Sequence, residues 1–369
     1  MTEVVVTHRN TPDAVDLEPL AQYAERMGLR ASLAVGMMLA LLVLLFNLGR
    51  NPIPMLEDNR SFGLLALYFM APAALIVAGI VFVLGIQAWN ARVSADRRRG
   101  WKLAVLPVSL AYTVLMGLIG AVILQLAEPA FPGLALDRFQ AALLVGLVSG
   151  ALIYWLAIQT MEITSTNLLR LAIIVVAAGV YLAVSRADDP KWWTISFSSV
   201  GTHSTFTSQI FNGTLIFGGL MVLVWRPYFA SDLTLLMQHG LTTAAGAKWV
   251  NRGLIGLGIT IALVGIFENQ VNAVYDFIHN TAAPMMGVIV VIMAFTLRRL
   301  VPGFPNEVYL TSYILGGLLV LGVFFYAIGY FNIAGVTLYG GAIAFTWLTL
   351  FVGTVEQIAH ELEPDAFPS

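Results

Sequence analysis

Glu268, Asn272, Asp276 and His279 follow one another at intervals of four, four and three residues. On one continuous helix these intervals put all four side chains on a single face. A carboxylate and an imidazole on one face, in a closed pocket, are the material of general acid–base chemistry, with Glu268 or His279 moving the proton. That arrangement requires the helix that begins near residue 253 to run past Phe267. The alternative is a wet outer connection between two membrane helices.

A second set lies upstream, in Ser196, Ser198, Ser199, His203, Ser204 and Asn212. With His279 and either Glu268 or Asp276 it holds the parts of a Ser–His–acid arrangement. Its two histidines and two carboxylates are also donors that zinc accepts. None of the tight spacings occurs: there is no G-x-S-x-G, H-E-x-x-H or H-x-x-x-H. No metal site is therefore expected, and the reading leans away from an enzyme. The catalytic candidates are Glu268, His279, Ser196 and His203. The ligand-binding candidates are Asn212, Glu268, Asn272, Asp276 and His279. Against both stands a plainer role, hydrogen bonds that tie an outer loop to the body of the protein.

The elements that position these residues are apolar and long. The 369 residues are 59% hydrophobic and 11% charged, with a mean hydropathy of +0.83. A soluble domain carries about 25% charged residues, so this chain belongs in a bilayer, where a backbone satisfies itself as helix. Runs near the roughly 20 residues needed to span occur at 31–48, 63–89, 103–126, 140–160, 168–184, 210–225, 253–274, 281–297, 308–328 and 334–354. The expectation is an all-α polytopic membrane protein of about ten transmembrane helices. Pro72 and Pro107 are placed to kink the second and third.

Lys and Arg set the orientation. With the N-terminus inside, fourteen of the nineteen fall on inner segments, led by Arg97-Arg98-Arg99. Both termini are then cytoplasmic, and the expected location is a cell membrane, a prokaryotic inner or plasma membrane. Residues 1–30 read as a cytoplasmic segment with an amphipathic stretch at 14–29 lying on the interface. Residues 31–160 form a four-helix part, 161–355 a six-helix part with the outer loop 186–209, and 356–369 an acidic cytoplasmic tail. Within the inner connection 226–252, SDLTLLMQHGL reads as a short surface helix capped by Ser231.

Other chemistry is excluded by absence. The net charge of −2 offers no basic surface for nucleic acid, and Cys is missing altogether. That removes thiolate catalysis and cysteine-held clusters. The five histidines supply no pair on neighbouring spans at matched depth, so haem and other cofactors are not expected. Charges avoid the span centres, which argues against an ion-coupled pump.

Residues 165–355 present a helix, then an outer loop with Ile195-Ser196 and Gly201. A helix opening Phe211-Asn212 and carrying Gly218-Gly219 follows, and later a helix introduced by His279-Asn280. This order resembles the DRAM/Frag-type six-helix membrane family and its bacterial relatives, whose I-S-x-x-G loop is shorter than the one here. The resemblance implies a role in lipid handling, and Ser196, Gly201, Asn212 and His279 as the positions to watch. The leading expectation is therefore a lipid-binding protein with an outer-leaflet pocket under loop 186–209 and membrane lipids as partners. The alternatives are a non-catalytic subunit partnered by other membrane proteins, and a transporter of a small or apolar solute.

Overall fold

The computed structural model describes residues 20–56, 59–161, 163–187, 189–202 and 205–363. Ten helices dominate them: α1 Leu20–Phe46, α2 Phe62–Asn90, α3 Val105–Ala130, α4 Arg138–Met161, α5 Ser165–Ser185, α6 Phe206–Gln238, α7 Ala244–Ile266, α8 Ala273–Leu300, α9 Asn306–Ala327 and α10 Ile333–Leu362. Each is long and apolar enough to cross a membrane. The chain is an all-α multipass membrane protein, as its composition requires.

The helices alternate in direction. One end of the bundle therefore carries Leu20, Glu363 and the segment 91–104, and is called here the arginine end. The far end carries residues 189–202 and a two-residue antiparallel ladder that pairs Ile53 with Leu136 and Pro54 with Ala135. The first four helices pack chiefly among themselves, α1 along α4 and α2 against α3 and α4. From α5 to α9 each helix packs on the next, and α10 closes the set against α9, α6 and α5. The two groups meet where α3 and the segment 91–104 touch α5 and α6.

Small residues set the tightest seams, as they must where lipid is as apolar as leucine and hydrophobic burial gives no drive. A Cβ on Gly36 of α1 would lie 2.8 Å from the Gly146 carbonyl oxygen of α4, and one on Gly146 would lie 2.9 Å from the Gly36 oxygen. Large rings fill the centre of the second group. Trp225 stacks on Phe229 at 5.1 Å, and Phe351 meets Phe229 and Trp347, each at 5.3 Å between centroids.

At the arginine end four boundaries differ from the sequence reading. α1 begins at Leu20, so residues 20–29 are its first turns and not a separate interfacial helix; 14–19 lie outside the described residues. α6 continues through Pro227 to Gln238. A proline inside a helix removes one hydrogen bond, but the turns beyond it are held from outside. The Tyr228 hydroxyl donates to the Gly100 carbonyl at 3.0 Å and Ser231 Oγ to the Arg97 carbonyl at 2.9 Å. Ser231 is thus a buried cross-link and caps nothing. α7 starts at Ala244, capped by Thr243, which leaves 239–243 as the connection. The acidic segment beginning at Glu356 is helical through Leu362.

Candidate functional site

At the far end, α7 stops at Ile266, and α8 begins at Ala273 with Asn272 as its cap. Gln270 between them has φ +69°, a left-handed turn that no helix carries. Glu268, Asn272, Asp276 and His279 therefore do not share one helix face. Asn272 Oδ1 accepts from the Val274 and Tyr275 amides, both at 3.0 Å. Asp276 Oδ1 accepts from the Gln270 amide at 2.6 Å, in the first turn, where the helix dipole favours a carboxylate. His279 is buried, and its Nδ1 lies 2.8 Å from the Phe267 carbonyl oxygen. A carbonyl only accepts, so Nδ1 carries the proton, and the ring fastens α8 to the end of α7. Glu268 sits half-buried in the connection.

The Ser/Thr-rich loop is spent in the same way. Ser196 Oγ accepts from the Ser199 amide at 3.1 Å and lies 3.2 Å from Ser198 Oγ. Asn212 Nδ2 donates to the Gly201 carbonyl at 2.9 Å, and Phe197 sits between Trp192 and Phe211 at 5.4 and 5.7 Å. Ser196 stands in the loop before α6 and His279 in α8, and they share no hydrogen bond. His203 and Ser204 lie outside the described residues. Among the described residues no three His, Asp or Glu gather as a metal site.

The densest polar chemistry is at the arginine end. Arg98 has extended backbone, φ −64° and ψ 138°, and extended chain sends alternate side chains to opposite sides. Arg97 and Arg99 are consequently buried while Arg98 is exposed. Arg99 Nη2 pairs with Asp232 Oδ1 of α6 at 3.0 Å, and both side chains are buried. Arg99 Nη1 donates to the Ile163 carbonyl at 3.1 Å, and its guanidinium lies 3.7 Å from the Trp89 ring centroid. Burial pushes the Arg99 guanidinium down from its ordinary value, and the Asp232 charge pulls it back. The second Asp232 oxygen accepts from Ser165 Oγ at the start of α5, and Trp225 Nε1 donates to the Ser165 carbonyl at 2.7 Å. Arg97 pairs with Glu363 just beyond α10. The segment 91–104 is thereby joined to α5, α6 and the end of α10.

Beside this network, between the first turns of α5 and the last of α10, opens a cleft of about 330 Å³. Thr164, Thr166, Asn167, Arg170, Gly353, Glu356, Gln357 and His360 line it. Glu356 Oε2 accepts from the Thr166 amide at 2.6 Å. Thr166 Oγ1 is buried without a hydrogen-bond partner. Arg170 stands exposed at the rim. One turn deeper on its face lies Ile174, 46% exposed, and further along Tyr181, 74% exposed. A polar cleft thus opens at the foot of an apolar, outward-facing strip. In the sequence 356–369 reads as a tail and 168–184 as a plain span, which does not bring the two walls together. Nor does that reading find Asp232; the one signal is a carboxylate at the edge of an apolar run.

No protein-family model matches the chain, and no curated protein or solved structure matches it.

Proposed function

We propose that this multipass protein binds phospholipid, with the headgroup in the α5–α10 cleft and an acyl chain along the strip that includes Ile174 and Tyr181. The observation that carries this reading is the juxtaposition of the two surfaces. The cleft offers a cation, a carboxylate and neutral polar groups at the level of the helix ends. The strip begins one turn, about 6 Å, further in. Basic pockets between helices at the cytoplasmic interface are a recurrent means of holding lipid headgroups. The excess of Lys and Arg at the arginine end supports a cytoplasmic position for it, which puts the proposed lipid in the inner leaflet of a cell membrane. This moves the lipid contact away from the loop 186–209, where Ser196 and Ser199 bond within the loop and Asn212 of α6 bonds the Gly201 carbonyl. The resemblance of residues 165–355 to the DRAM/Frag-type proteins, some tied to lipid-anchor remodelling, supports the same reading.

Gly353 supplies the test. A Cβ there would meet nothing within 4 Å, so a side chain can begin there without clash, and Gly353→Phe is the variant chosen to occupy the cleft. Intact-protein mass spectrometry from native membranes is expected to find one retained phospholipid on the parent chain and its loss from Gly353→Phe. Equal retention by both proteins refutes the assignment.

A further inference from the structure

Resting on that reading, we infer that the cleft is built for a headgroup carrying both charges, a phosphate joined to a primary ammonium, as in an ethanolamine phospholipid. The walls are of opposite sign. Arg170 on α5 provides the fixed cation, and its guanidinium suits a phosphate oxygen pair. Glu356 faces it from α10. Only its Oε2 is taken, by the Thr166 amide, and Oε1 is not among the buried atoms that lack a partner. That oxygen is open to a donor from the cleft.

A headgroup with a phosphate alone would pair with Arg170 but leave the Glu356 carboxylate without a cation. A choline headgroup would bring a positive charge with no N–H to donate, since its nitrogen carries four carbons. An ethanolamine ammonium has three donors and satisfies the carboxylate directly, as a lysine ammonium would. The remaining lining is polar, with His360 as its one other titratable side chain. Asn167 and Gln357 present amides that donate or accept, Gln357 Nε2 already bonding Glu361 Oε1 at 3.1 Å. The volume of about 330 Å³ equals about eleven water molecules at 30 Å³ each, room for a headgroup but not for acyl chains.

The experiment uses the full chain in detergent, equilibrated with an equimolar mixture of phosphatidylethanolamine, phosphatidylglycerol and phosphatidylcholine of identical acyl chains. Bound lipid is read by native mass spectrometry. The parent chain is expected to retain the ethanolamine lipid about tenfold over either competitor, the effect of one charge-assisted hydrogen bond. Glu356→Gln, which keeps an acceptor for the Thr166 amide, is expected to lose that preference while still binding lipid. Arg170→Gln is expected to weaken all three. Soluble phosphoethanolamine added as competitor separates the sources. Displacement of bound lipid means the headgroup alone suffices, and no displacement means the acyl strip is required; either outcome fits a site for this headgroup. Displacement by inorganic phosphate alone makes the cleft a plain anion site and overturns the inference. So does equal retention of the three lipids, or a preference that survives Glu356→Gln. If lipid is retained without preference but lost from Gly353→Phe, only this inference falls. If the parent chain retains none, the lipid reading falls with it.

Discussion

Asp232→Ala is expected to be among the most damaging single substitutions in this chain. The side chain is 0% exposed, and its two oxygens accept from Arg99 Nη2 at 3.0 Å and from Ser165 Oγ. Alanine removes both acceptors and leaves a guanidinium at the centre of the junction between the two helix groups. What remains to Arg99 is the Ile163 carbonyl and the rings of Trp89 and Tyr228, none of which carries a full negative charge, and the weaker pull of the Glu356 carboxylate. Removing one partner of a buried pair costs about 3–5 kcal/mol, whereas replacing both by apolar groups of similar volume is often neutral. The expectation is thus a pattern across variants. Asp232→Ala loses about 3–5 kcal/mol, and Asp232→Asn, which keeps an acceptor for Ser165 but not the charge, falls in between. The double variant Arg99→Met, Asp232→Leu recovers most of the loss. Unfolding by SDS titrated into a mild detergent, followed by tryptophan fluorescence, reads all three, because Trp89 and Trp225 border the site. The reasoning is refuted if Asp232→Ala lies within about 1 kcal/mol of the parent, or if the double variant falls as far as the single.

Three further outcomes follow from the geometry. Gly146→Leu forces its side chain into the Gly36 carbonyl oxygen 2.9 Å away, so α1 and α4 must separate; a loss of at least the 1–3 kcal/mol typical of overpacking, roughly, is expected in the same titration. His279→Ala removes the donor to Phe267 and costs about 0.5–1.5 kcal/mol, but it should leave lipid retention unchanged, as should Glu268→Gln; a loss of bound lipid in either would return the site to the far end. Because the chain has no cysteine, single cysteines report topology without background. In intact cells an impermeant maleimide is expected to label Gln270→Cys and to spare Arg98→Cys, both positions being exposed, and the reverse pattern would invert the assigned orientation.

The spans were legible because lipid leaves the backbone one solution, and long apolar runs state where it is used. Their ends were less so. Pro227 and Arg226 look like a stop, yet α6 passes both, since Arg226 bonds Asn251 of α7 at 3.0 Å and the later turns are anchored on the segment 91–104. That anchoring is tertiary and has no local pattern. The far-end candidates failed to converge for the opposite reason. The intervals of four, four and three are real, but Asn272 is a strong cap, and a cap ends the register on which a shared face depends.

The arginine triplet shows how one stretch of sequence serves two purposes. Its charge excess is the signal by which the sequence predicts orientation, which needs only Lys or Arg near the surface. Its alternation buries Arg97 and Arg99 and exposes Arg98, which needs extended backbone at that place. Each buried arginine then requires a carboxylate, and Asp232 and Glu363 come from the second helix group. The pairing is costly to assemble, so it specifies which helix ends meet more than it adds stability. It fixes Ser165 at the start of α5, and one residue later the Thr166 amide reaches Glu356 across the cleft. The wall that faces Arg170 is therefore positioned by the same contacts that join the two groups. Loosening the Arg99–Asp232 pair should disturb the cleft before it disturbs the far end, where His279, Asn212 and Ser196 hold their loops by separate bonds.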